Sequence, residues 1–107
     1  MKIEIPKYLI FATFQEYLEV IKIEHTIKPG IDGIIYLSSS IEGAVELTRV
    51  FNPYIEKLLF TKIKTDLLDK KYFVELESFV PLKEPVFFYQ GIISKGAFDP
   101  NFKLYKV

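Results

Sequence analysis

Tyr36-Leu37-Ser38-Ser39-Ser40 places a phenol and three hydroxyls at the end of an apolar run. Hydroxyls so placed either contact a substrate or attack one, and an attacking serine needs a positioned base. His25 is the single histidine, and Glu24 and Asp32 lie near it in sequence. It is the residue type most used as such a base, but a histidine at a helix C-terminus is also favoured by the macrodipole alone. The nucleophile-elbow pattern G-x-S-x-G is absent. Ser39, with Ser40 sharing the task, has a second duty as the cap of a following helix, so the run reads first as cap and turn. Ser38 is the member that capping does not explain.

Three acids complete the set. Glu75 and Glu77 are two apart and share one face of a strand. Such a pair can divide acid and base roles or hold a divalent cation, but alternation with Val74, Leu76 and Phe79 favours the wet face of a sheet. Glu84 stands between Lys83 and Pro85 at the entrance to an apolar strand, either as a solvated turn residue or as an acid held at the strand's mouth.

Composition excludes more than it selects. The chain has 107 residues, half of them hydrophobic, which suits one domain with a modest core. With no cysteine and one histidine, thiol chemistry, disulfides and a zinc site are not expected. Neither G-x-G-x-x-G nor a P-loop occurs. Basic and acidic residues balance at 14 each, and Arg49 is the only arginine. Nucleic-acid binding is therefore disfavoured, although a local lysine patch is compatible with the balance. The first twenty residues contain Glu4, Glu16 and Glu19 and read as neither a signal peptide nor a membrane span. The expected setting is cytoplasmic, and the lysine- and isoleucine-rich composition is that of an AT-rich genome, bacterial or phage.

The elements that must position these residues follow from periodicity. Lys7 to Thr13, "KYLIFAT", reads as a strand, and Thr13 with Glu16 as a capping box. Phe14, Tyr17, Leu18 and Ile21 then mark one buried helical face, fading near Glu24. The design repeats: "GIIYLS" is a strand, Ser39 with Glu42 a second capping box, and Ile41, Ala44, Val45 and Thr48 a second helical face that ends at Asn52-Pro53. Afterwards "IEKLLFTKIKT" reads as a half-exposed strand, "TDLLDKK" as a turn, "YFVELESFV" as an alternating strand and "EPVFFYQGII" as a strand buried on both faces. The tail "FKLYKV" reads as a lysine-guarded edge strand. The sum is an α+β fold: two strand-helix units, then mainly antiparallel strands.

This order of elements, with "GIIYLSSSIEGAVEL" and "EPVFFYQGII" as its most telling segments, resembles the small ADP-ribosyltransferase fold over residues 8 to 95. The resemblance implies NAD as cofactor. Tyr36 and Ser38 would contact nicotinamide and ribose, beyond a first strand ending at Thr13. Either Glu77, from an E-x-E match at 75 to 77, or Glu84 would be the catalytic acid, stabilising positive charge as the bond to nicotinamide lengthens. Where family members carry His or Arg on the first strand, this chain has Phe11-Ala12-Thr13, so His25 would have to reach in from the loop. The leading expectation is accordingly a protein-binding domain on such a scaffold, without activity and without a cofactor. The alternatives are an NAD-dependent transferase or glycohydrolase, with Ser38 and an acid in its site, and a structural homo-oligomer.

Overall fold

A computed structural model describes residues 4–74 and 85–107. Glu75, Glu77 and Glu84, and most of the alternating strand expected around them, lie outside the described residues. The fold is α+β. Strand β1 (Tyr8–Thr13) leads to helix α1 (Gln15–Glu24), and a short β2 (Thr26–Ile27) precedes β3 (Ile35–Ser38) and α2 (Ile41–Phe51). Strand β4 (Lys57–Lys64) follows, then two single 3-10 turns, β5 (Phe73–Val74), β6 (Val86–Tyr89), β7 (Ile93–Ser94) and β8 (Lys103–Lys106). Six strands form one sheet in the order β5-β6-β3-β1-β4-β8, and β2 pairs with β7 separately. Every described pairing is antiparallel. The tail strand β8 lies at the sheet's edge, as its guarding lysines predict.

Alternation along the strands separates the two faces. Leu9, Phe11, Leu37, Ile63, Phe87 and Tyr89 point to one side, where Ile21 of α1, Ile27, Ile93 and Phe98 complete the main core. Residues between them, Ile10, Ala12, Tyr36 and Ser38, face the other side, beneath α2. Helix α1 contributes Leu18 and Ile21 to burial and stops at Glu24 as its periodicity requires. Its expected leading residue, Phe14, is 42% exposed. No helix among the described residues is long and apolar enough to cross a membrane.

Three local expectations are corrected. Thr13 does not cap α1: it ends β1, paired with Leu59 and buried, and the N-cap is Phe14, which has no side-chain acceptor to offer. The strand ladder holds Thr13 extended, and Glu16 serves in the first turn, where negative charge complements the macrodipole. The second cap falls on Ser40, whose Oγ accepts from the amide of Gly43 at 3.0 Å, while Ser39 is exposed. This shift puts Glu42 one place too early for a capping box. Finally, β6 is not buried on both faces: Phe87 and Tyr89 are buried, whereas Val86 and Phe88 are half-buried. Phe88 packs edge-on against Tyr36, at 5.6 Å between ring centroids, near the rim of the α2 side.

Candidate functional site

The space between α2 and the sheet is not fully packed. A cavity of ≈ 410 Å³ lies there, walled by Ile10 and Ala12 of β1, Ala44, Leu47 and Phe51 of α2, and Leu58 of β4. Its polar groups come from Thr13, Asp32, Tyr36, Ser38, Thr48 and Asn52. Most of these are already engaged. Thr48 Oγ1 donates to the carbonyl of Ala44 at 2.7 Å, and Asn52 Oδ1 accepts from the amide of Tyr54 at 3.3 Å. Asp32 accepts twice, from the amide of Ile34 at 3.0 Å and from the Tyr36 hydroxyl.

Ser38 differs. It is 1% exposed, and its Oγ has no hydrogen-bond partner among the described residues. Leaving a buried hydroxyl unpaired costs on the order of 1–3 kcal/mol. The Oγ itself has almost no accessible surface, so it lies behind the cavity wall and is reached from the cavity only if the wall shifts.

Electrostatics set Tyr36 as a donor. Its hydroxyl donates a hydrogen bond to the Asp32 carboxylate, and this bond, then partial burial, then the Asp32 charge, push its pKa up to about 12. It therefore keeps its proton near neutrality and is unsuited to act as a base there. No histidine, lysine or arginine is among the described residues lining this cavity. Among the described residues of the lining, Ser38 has no histidine or lysine base beside it, and a pyrophosphate would meet no cation. The arrangement suits binding: apolar walls with a fixed donor-acceptor pair, Tyr36 and Asp32, beside them.

The cavity continues outward. A second hollow of ≈ 550 Å³ shares Thr13, Phe14, Asn52 and Leu58 with the first, so the two adjoin. Glu16, Tyr54, Glu56 and Leu104 line its outer half. Phe51, Tyr54 and Leu104 are 61%, 90% and 53% exposed, leaving a row of large apolar side chains beside the opening.

Three of the residues singled out from the sequence, Thr13, Tyr36 and Ser38, thus line one cavity. His25 does not join them. It caps the C-terminus of α1 with a left-handed backbone (φ 58°) and lines a separate concavity of ≈ 730 Å³ with Tyr8, Lys22, Lys62, Lys64 and Lys95. Sequence reading missed Asp32 as the partner of Tyr36. The signal available was the Asp32-Gly33 turn, which brings a carboxylate back over the strand it precedes. Among the described residues, no three of His, Asp and Glu converge as a metal site would require. Comparison with protein-family models, with curated proteins and with solved structures finds no match.

Proposed function

We propose that this chain is a protein-binding domain whose recognition surface is the groove between α2 and the sheet. The observation that carries this reading is that the two hollows adjoin at Thr13, Phe14, Asn52 and Leu58, with Phe51, Tyr54 and Leu104 exposed beside them. A deep apolar end and a long outer half suit an extended segment that lodges one large apolar side chain under α2. Charge narrows the occupant further. Among the described lining residues, Asp32, Glu16 and Glu56 stand against one cation, Lys57, so the partner segment carries a basic residue beside its apolar anchor.

The reading is tested with a displayed library of linear peptides, followed by NMR titration of the selected sequences. Enrichment of an aromatic or leucine next to Lys or Arg, with shifts at Phe14, Ser38, Thr48 and Phe51, is the expected outcome. Substituting Phe51→Ala should then weaken binding about tenfold, the order found for interface anchors. Selected peptides that shift none of these residues would show that the groove is not the recognition surface.

A second reading keeps the ADP-ribosyltransferase resemblance. It is favoured by Thr13, Tyr36 and Ser38 lining one cavity, and it would put nicotinamide against Tyr36 and the ribose against Ser38, with Glu77 or Glu84 as the acid. Against it stands the lack of a cation on the described lining. Titration with NAD separates the two: shifts at Tyr36 and Ser38, lost in Ser38→Val, would favour the dinucleotide. A flat response at millimolar ligand would retire it.

A further inference from the structure

We propose that the concavity at the C-terminal end of α1 is a binding site for a small polyphosphate anion. This site is separate from the groove under α2, and none of its lining residues is shared with it. Its volume is ≈ 730 Å³, and Lys22 and His25 at the end of α1, Lys62 and Lys64 of β4, and Lys95 of the loop after β7 all line it. Tyr8 forms part of the wall, with Lys62 Nζ 5.7 Å and Lys7 Nζ 5.8 Å from its ring centroid. The ring thus holds one of the lining ammonium groups in place and draws a further lysine to the same spot.

A chain of zero net charge has placed four lysines around one hollow. Asp99 is the one acid among the described lining residues, and its Oδ1 already accepts from the amide of Asn101 at 2.9 Å. The ion pairs among the described residues are Lys28 with Glu24 and Lys71 with Asp69, so none involves these four lysines. Like charges gathered within a Debye length repel one another, and a bound anion offsets that cost.

Structural duties do not account for the cluster. A lysine in the last turn of a helix complements the dipole, which covers Lys22 alone. Lysines on an open strand edge deter pairing with other chains. The β4 edge beside Lys62 and Lys64 is already closed, because Lys64 N donates to the Ala97 carbonyl at 2.7 Å and Ile63 bridges to Phe98.

His25 adds an imidazole to the lining, and its left-handed φ of 58° is the ordinary geometry of the residue that ends α1. The ligand class follows from the donors. Ammonium groups act on phosphate as point charges, and four of them exceed what a single phosphate needs. At ≈ 730 Å³ the hollow is sized for a compact anion, and its lysines must outweigh the negative end of the α1 dipole.

The test is a calorimetric and NMR titration of the full chain with inorganic tripolyphosphate. At about 50 mM salt the dissociation constant should fall below about 1 mM and weaken severalfold at about 200 mM, as an ionic contact must. Amide shifts should centre on His25, Lys64, Lys95 and Gly96. The exposed pair Lys62→Gln with Lys64→Gln should weaken binding about tenfold, and the control pair Lys103→Gln with Lys106→Gln by less than about twofold. Equal weakening by both pairs, or no binding at low salt, would overturn the site. Adenosine triphosphate binding tighter than tripolyphosphate assigns the source to a nucleotide, and equal affinity assigns it to the phosphate chain itself. A single-stranded oligonucleotide that outcompetes both at equal phosphate concentration would replace the small-anion proposal with nucleic-acid binding.

Discussion

The Tyr36 hydroxyl donates to the carboxylate of Asp32, four residues earlier and across the turn that contains Gly33. The bond closes the loop before β3 onto the face of the sheet that α2 covers. It also fixes the Tyr36 ring, whose centroid lies 5.9 Å from that of Phe51 and 5.6 Å from that of Phe88. One hydrogen bond thereby ties the loop, the sheet and the last residue of α2 into a single rim around the cavity.

That bond makes stability depend on alkaline pH. The Tyr36 pKa is raised from 10.0 to about 12, chiefly by the proton it shares with Asp32. Below 10 the folded and unfolded chains both hold this proton, and its stabilising contribution is fully present. Between 10 and 12 the unfolded chain releases the proton while the folded chain keeps it, so stability falls as pH rises. Urea unfolding followed across this window should show a steeper decline for the native chain than for Tyr36→Phe, which has no proton to lose there. Parallel declines would mean that the bond does not govern the titration.

How far the site could be read in advance differs from residue to residue. Tyr36 and Ser38 are two apart on a recognisable strand, so their common face follows from the pleat. The first helix ends where its apolar period ends. The caps failed because the hydroxyl-to-acid spacing fits more than one register. In Ser38-Ser39-Ser40 any hydroxyl could start a helix, and packing of Ala44 and Val45 under the sheet selected Ser40. The lysine-lined hollow was beyond local reasoning. Lys22, Lys62 and Lys95 come from a helix, a strand and a loop far apart in sequence, and only the β1–β4 pairing and the loop at Gly96 bring them together.

Ser38→Ala should raise stability. The hydroxyl is buried without a partner among the described residues, so its removal relieves a desolvation cost and leaves a methyl group in an apolar wall. A gain of about 1 kcal/mol is expected from equilibrium urea unfolding, with an unchanged slope. A loss of similar size would show that the hydroxyl is bonded in solution.

The position of the second cap gives a sharper contrast. Ser40→Ala removes the acceptor for Gly43 N and should cost about 1 kcal/mol. Ser39→Ala, on an exposed neighbour, should change stability by less than about 0.5 kcal/mol. Chemical denaturation of the two variants side by side checks the order. The reverse order would move the start of α2 by one residue and with it the faces presented to the cavity.

His25→Gly sets stability against binding. The left-handed conformation at φ 58° costs a side-chain-bearing residue about 1–2 kcal/mol, and glycine escapes it. Glycine also gives the unfolded chain more freedom, which takes back about 0.5–1 kcal/mol. The net expectation is a gain of about 0.5 kcal/mol by thermal or urea unfolding, because the hydrogen bond from the amide of residue 25 to the Ile21 carbonyl is kept. If the imidazole contacts the anion in the lysine-lined hollow, the same variant binds tripolyphosphate more weakly while folding more firmly. His25→Asn then separates the two effects, since asparagine tolerates the left-handed region and still lacks the imidazole. Binding unchanged in both variants would leave the strain at His25 to helix termination alone and assign the site to its lysines.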